Sequence, residues 1–330
     1  LRPTDHPRVP RDLAMFWMAP ERGRARTAAQ ANLATAAKFE NGGEHAKALN
    51  LLANAATKPD GPLAAYAEFY AGLAQLHLGR VAEARTTFQA LQSAPLVGYL
   101  SEMAALREAE CDELLHDQAA ALAVYERLSA TKTLAPDSVW MKLGTAALAA
   151  GAPEKAQAAF ERVYYDYPLS DMADEAAAQL GDVPVSAGTI RFRQELARAE
   201  RLFAARQYGA ARAAFDRLRM VAQGDERIQL QLRVAEADYY LRRYRSASDA
   251  LKPFTASGAW QAEALYYFGL AQHELKDNAL YHATMRRVAD EFAGTTWAED
   301  ALNSLALVDA HDDADDAADQ ESAEIGRAHV

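Results

Sequence analysis

The sequence predicts an all-α chain, an α-α superhelix or solenoid of paired helices, and three observations point there. First, an Ala followed four residues later by a large apolar residue recurs along the chain. The pairs are Ala48/Leu52, Ala84/Phe88, Ala121/Tyr125, Ala156/Phe160, Ala211/Phe215 and Ala247/Leu251, with Tyr281/Met285 as a degenerate seventh. Their intervals are 36, 37, 35, 55, 36 and 34 residues, and a near-constant period of this size marks an array of small helical units. Second, short polar breakers punctuate the pattern at Asn41-Gly42-Gly43, Gly79-Arg80, His116-Asp117, Gly151-Ala152-Pro153, Gln207-Tyr208-Gly209 and Lys276-Asp277-Asn278. Third, alternating Val/Ile/Thr runs are nearly absent, while 76 of the 330 residues are alanine. Alanine favours helix and allows helices to approach closely.

Residues 1–26 carry Pro3, Pro7 and Pro10 and read as an irregular N-terminal segment. A first set of hairpins follows over 27–180. Its clearest unit joins Trp140-x2-Leu143-Gly144 on one helix to Ala156-x3-Phe160 on the next, with Pro168 ending it. That is the tetratricopeptide pattern, short only of the first-helix Tyr, where Ala147 stands. Gly144 and Ala156 are small where two helices cross, and Phe160 fills the space beside them. Leu265-x2-Phe268-Gly269 repeats the first half of the pattern, and Gly72 holds the same place before Ala84.

The long interval of 55 residues locates a boundary. Ser170 or Asp171 caps a further helix running to about Leu180. The stretch 181–188, with Gly181, Pro184 and Gly188, is too rich in breakers to be helical. A second tetratricopeptide-like set then occupies 189–310. Residues 311–323 read as the start of a truncated repeat. The final seven, Glu324 to Val330, match a translated sequencing adapter and are expected to be an artefact. The last complete helix, near Thr296 to Ala310, is expected to leave Leu302, Leu305 and Ala306 uncovered.

Composition excludes several functions. Lys plus Arg is 35 and Asp plus Glu is 46, a net charge of 35 − 46 = −11, which disfavours a nucleic-acid partner. The acidity is concentrated from Asp309 onward, with eight acids against one Arg. One cysteine allows neither an internal disulfide nor a cysteine-based zinc site. No run of some 18 apolar residues spans a membrane. The N-terminus lacks a signal peptide, which is inferred to lie upstream.

Motifs that carry chemistry are missing. There is no Gly-x-Ser-x-Gly elbow, His-Glu-x-x-His, phosphate loop or dinucleotide fingerprint. The eight His show no ligand spacing, so no metal, cofactor or catalytic residue is assigned. Cys111 lies between Glu110 and Asp112, whose charges raise a thiol pKa, and reads as structural. The binding hints are aromatic: Tyr66, Phe69 and Tyr70; Tyr239, Tyr240 and Tyr244; Tyr266, Tyr267 and Phe268. Such residues fill helix-pair cores and also stack on sugars and partner proteins. Tyr66, Tyr70, Tyr239, Tyr240 and Tyr267 are the groove-lining candidates.

Several stretches resemble the repeats of soluble lytic murein transglycosylases. They are Pro62 to Leu76, Leu78 to Arg85, Val163 to Asp171, Ala235 to Leu241, and Asp290 to Phe292 followed by Trp297 to Leu302. The likeness runs from about residue 10 to about 310. It implies a periplasmic location and a superhelical, non-catalytic region of an enzyme that cuts peptidoglycan glycan strands to 1,6-anhydro products. The family's catalytic Glu, followed by Ser in a lysozyme-like domain, has no counterpart domain here. Gln320-Glu321-Ser322 matches the motif locally but sits among acids with too little chain to form a cleft. The alternative reading is a free-standing tetratricopeptide adaptor of the cell envelope that binds proteins or peptides.

Overall fold

The computed structural model describes residues 27–53, 61–93, 99–181 and 184–308, together with Pro59 and Leu96. Among these residues there is no strand. The helices are α1 (Ala28–Asn41), α2 (His45–Leu52), α3 (Pro62–His77), α4 (Val81–Gln92), α5 (Leu100–Leu114), α6 (Gln118–Ser129), α7 (Pro136–Ala149), α8 (Pro153–Asp166) and α9 (Ala173–Leu180). Described residues 184–189 are not helical, and after them come α10 (Ile190–Ala204), α11 (Tyr208–Val221), α12 (Gly224–Tyr240), α13 (Tyr244–Leu251), α14 (Gln261–Glu274) and α15 (Asn278–Glu291). A last helix, α16, covers 296–308. The chain is therefore all-α, built of tetratricopeptide-like helical hairpins.

One turn design closes every hairpin. Five residues before each repeat Ala, or Tyr281 in the last, stands a residue with positive φ: Gly43, Gly79, His116, Gly151, Arg206, Arg242 and Lys276. The amide after it donates to the carbonyl five residues earlier in each turn, as in Asp117 to Asp112 at 2.8 Å and Arg243 to Asp238 at 2.8 Å. This is the Schellman closure, which satisfies carbonyls that a helix end leaves orphaned. The sequence placed one of these turns at Gln207-Tyr208-Gly209; Gln207 does lie in it, as the residue before α11, but Arg206 takes the left-handed conformation and Tyr208 and Gly209 lie inside α11. Register relative to Ala211, rather than residue type, selects the turn position. Side-chain caps begin several helices: Thr27 in a reciprocal box with Gln30, then Asp117, Thr189 and Asp277. The cap expected at Ser170 or Asp171 differs. The Ser170 hydroxyl accepts from the Met172 amide and donates to Asp137, and α9 starts only at Ala173.

The packing follows the same register. Ala48, Ala84, Ala121, Ala156, Ala211, Ala247 and Tyr281 are all buried, as are their large partners four residues on. Sixteen residues before each large partner stands a buried small one: Ala36, Gly72, Ala109, Gly144, Ala199, Ala235 and Gly269. A Cβ on Gly72 would come within 2.7 Å of the Phe88 ring, and one on Gly144 closer still to Phe160. Each buried Phe or Leu contributes on the order of 1.5–3 kcal/mol, and the small residue opposite is what lets it in.

Successive hairpins are tied by a second rule. After Ala84, Ala211 and Ala247, the next residue reaches the residue nine before the following repeat position. Arg85 Nε meets Asp112 Oδ1 at 2.6 Å. Arg212 meets Asp238 with Nε–Oδ1 of 2.6 Å and Nη2–Oδ2 of 3.1 Å. The Gln272 amide donates to the Ser248 hydroxyl at 2.6 Å.

The chain divides into two compact units. The first runs to Tyr164 and takes up Ser170–Leu180; the second holds Tyr165–Leu169 and everything from Gly181. In the first, one cluster centres on Tyr125, Leu143 and Phe160, one on Phe69, Phe88 and Leu100, and a smaller one on Leu33 and Leu52. In the second, clusters centre on Phe192 and Phe215, on Leu232, Leu251 and Tyr267, and on Tyr281, Met285 and Leu305. Leu305 thus turns inward against α15, contrary to the expected uncovered stripe, while Leu302 remains exposed. The segments 1–26, 311–323 and 324–330, with Glu321, lie outside the described residues.

Candidate binding surface

The structure places the candidate tyrosines in two different settings. In the first unit, Tyr66 and Tyr70 on α3 are half-buried and pack with Leu33, Leu52 and Leu63. Their neighbour Phe69 is core, with its ring centroid 5.8 Å from that of Phe88. Phe69 also meets Tyr70 edge-on at 6.1 Å between centroids.

In the second unit, Tyr239, Tyr240 and Tyr267 join a row that crosses four first-position helices. Phe203 near the end of α10 meets Tyr240 edge-on at 5.7 Å between centroids. Tyr208, the first residue of α11, stacks on Tyr240 at 4.5 Å with planes 8° apart. Tyr240 meets Tyr267 of α14 at 6.1 Å, and their hydroxyls lie 3.2 Å apart. Tyr267 meets Trp297 of α16 at 6.0 Å, and Tyr266 meets the same indole at 5.5 Å. Tyr239 flanks the row against both Tyr267 and Tyr244. Tyr267 is 8% exposed but Tyr240 is 40% exposed, so the row is anchored in the core and open at Tyr240. Edge-to-face and offset contacts of this kind contribute roughly 0.5–1.5 kcal/mol each beyond burial.

A charged rail runs beside the row. Arg233 of α12 contacts Glu200 of α10 at 3.1 Å, Glu236 at 2.7 Å and Glu263 of α14 at 3.2 Å. Its guanidinium lies 5.9 Å from the Phe203 ring. One arginine thereby bridges three successive first helices. Glu236 is fully buried. Burial, reinforced by a hydrogen bond shared with Glu263, holds its carboxyl well above the usual range even with Arg233 beside it. Burial and then Glu236 push the Tyr267 hydroxyl up as well. Glu200 and Arg233 keep part of their surface in solvent, whereas Glu236 does not. The arrangement offers stacking surface at Tyr240 with a cation and a carboxylate alongside.

The sequence missed Phe203, Tyr208 and Trp297. Each stands alone among non-aromatic neighbours, so no local cluster flags it. The signal available was register: Phe203 and Tyr239 lie eight residues before Ala211 and Ala247 respectively. The histidine reading also changes. No ligand spacing is visible along the chain, yet the fold gathers Glu40, His45 and His77, with one ligand atom from each within 4.8 Å of the others. His77 is 37 residues from Glu40, about one repeat, a distance over which a search within single helices sees nothing. Cys111 is buried, and burial ahead of Glu110 and Asp112 pushes its thiol up to about 12. Among the described residues no helix is long and apolar enough to cross a membrane.

No protein-family model matches the sequence, and no curated protein matches it. Similar solved structures include a tetratricopeptide repeat protein from Parabacteroides merdae, at 14% identity and a TM-score of 0.40, covering 84% of this chain and 98% of that one. The Cut9–Hcn1 hetero-tetramer of the APC/C matches at 16% identity and a TM-score of 0.31, covering 82% of this chain and 47% of that one. The P58(IPK) tetratricopeptide domain matches at 10% identity and a TM-score of 0.32, covering 84% and 97%.

Proposed function

We propose that the chain is a non-catalytic helical-repeat scaffold that binds an extended protein segment along the aromatic row of its second unit. The observation that carries this reading is the row itself, which is continuous from Phe203 to Trp297 and open at Tyr240. Tyrosine offers large contact area at low entropic cost, and arginine beside it supplies hydrogen bonds to a passing backbone or carboxylate. The test is selection from a phage-displayed peptide library against the purified chain and against Tyr240→Ala. Enrichment of a common sequence that the variant fails to bind supports the reading. Enrichment indifferent to Tyr240, or none, overturns it.

A second reading is favoured by the residues of Pro62 to Leu76 and Val163 to Asp171, which resemble lytic murein transglycosylase repeats. In it, this scaffold is the periplasmic superhelical region of such an enzyme, and its partners are peptidoglycan glycan strands reached through a separate catalytic domain. Two results would support this reading: a lysozyme-like domain with a Glu-Ser helix encoded in the same gene, and co-sedimentation of the chain with purified sacculi. A free-standing gene product that ignores sacculi favours the envelope adaptor. In both readings the chain alone, like its Glu321→Gln variant, releases no anhydro-muropeptides from sacculi. Product from the first and not the second would make it an enzyme.

A further inference from the structure

We propose that Glu40, His45 and His77 form a binding site for a first-row divalent transition-metal cation, with Zn2+ as the probe. The three residues come from three consecutive helices: the end of α1, the start of α2 and the end of α3. The Glu40 side chain is 2% exposed, and its two oxygens face two different imidazoles. Oε2 lies 2.9 Å from His45 Nδ1, and Oε1 lies 2.5 Å from His77 Nδ1. A carboxylate this deep needs a compensating positive group. Among the described residues Glu40 pairs with no Lys or Arg: Lys47 is engaged by Glu44 and lies over the Phe39 ring.

The donor set is two imidazole nitrogens and one carboxylate oxygen, a combination that suits Zn2+ and its neighbours. Their ligand atoms all lie within 4.8 Å of one another. A tetrahedral ion with bonds of about 2.0–2.1 Å asks for ligand atoms roughly 3.4 Å apart. The two rings, 4.6 Å apart at centroids and tilted by 45°, reach this by small side-chain rotations. His45 and His77 are partly solvent-exposed, at 24% and 46%, which gives the ion a route in and leaves one coordination position to water. Binding would replace the hydrogen-bonding protons on the two Nδ1 atoms and staple the first hairpin to the second.

The experiment is calorimetric titration of the untagged full chain with Zn2+, alongside His45→Gln, His77→Gln and Glu40→Gln. One equivalent is expected to bind, with a rise in melting temperature that a chelator reverses. Each variant should bind at least about tenfold more weakly, since even outer-shell changes cost that much at metal sites. Equal binding by wild type and all three variants would assign the metal to other surface histidines and overturn the proposal, as would no binding. Should the variants fail to fold, Co2+ added to the wild-type chain decides instead. An intense visible band of tetrahedral Co2+ supports the site, and the weak spectrum of the aqueous ion rejects it.

Discussion

At the scale of single residues, function and stability turn on a few small or buried groups. Gly144 leaves no room for a methyl group, because the Phe160 ring occupies that space. Gly144→Ala is therefore expected to destabilise the chain by about 1–3 kcal/mol, the usual range for overpacking a filled core. Gly269→Ala should cost less, because the nearest atom, at 2.9 Å, is the flexible methyl end of Met285. Denaturant midpoints of the two variants check the ordering. Asp112 offers a pH test. Burial pushes its carboxyl from 3.8 up to about 6, although Arg85 pulls the other way. A carboxyl whose folded value lies above its unfolded one binds more protons in the native state between the two values. The stability it contributes is present at low pH and declines as pH rises through that window. Asparagine imitates the neutral form at every pH. Wild type should therefore lose stability relative to Asp112→Asn between about pH 4 and about pH 6, and the difference should level off above. A difference that is flat across that range, or of opposite sign, would show that the Arg85 pair outweighs burial.

At the scale of elements, the hairpin turn is the unit that repeats. Seven turns share one left-handed position, and four of them place His116, Arg206, Arg242 or Lys276 there instead of glycine. A side chain in this conformation costs roughly 1–2 kcal/mol, against about 0.5–1 kcal/mol for the extra freedom that glycine loses on folding. Arg206→Gly and Lys276→Gly, both at exposed positions, should each stabilise the chain by up to about 1 kcal/mol. Gly79→Ala should destabilise it by a comparable amount. Melting temperatures of the three variants measure this, and a loss of stability in both glycine variants would mean the replaced side chains hold the turn. This element also explains what the sequence disclosed. The Ala-to-large spacing was legible because close crossing demands the same two residue sizes in every repeat. The turn position was legible at Gly43, Gly79, His116, Gly151 and Lys276, set too late at Arg206 and unmarked at Arg242, because backbone closure rather than side-chain identity makes that turn. The ties Arg85–Asp112, Arg212–Asp238 and Ser248–Gln272 were not legible at all. They join residues in different repeats and use different chemistry at the same register. The aromatic row was half legible for the same reason: adjacent tyrosines announce themselves, whereas Phe203, Tyr208 and Trp297 gain meaning only once the helices are stacked.

At the scale of the whole molecule, the ties are local, running between adjacent helices or between the first helices of successive hairpins. Helices pack on the helix before and the helix after, and the hydrophobic clusters are several and local rather than one. In such an array stability is a sum of repeat and nearest-neighbour terms, so damage stays near its origin. The chain also divides into two units with separate cores. A lesion in the first should therefore leave the second intact. Gly144→Ala sits in the cluster of Tyr125, Leu143 and Phe160. In hydrogen exchange under native conditions, the variant should lose protection in α5 to α8. Amides of α12 to α15, which pack in the clusters of Leu251 and Met285, should exchange as in the wild type. If protection falls together from α3 to α15, the two units unfold as one cooperative body and the nearest-neighbour account is wrong. If it falls only in α7 and α8, cooperativity is limited to a single hairpin. The expected pattern lies between these limits, because Tyr125, Leu143 and Phe160 pack in one cluster that binds two successive hairpins.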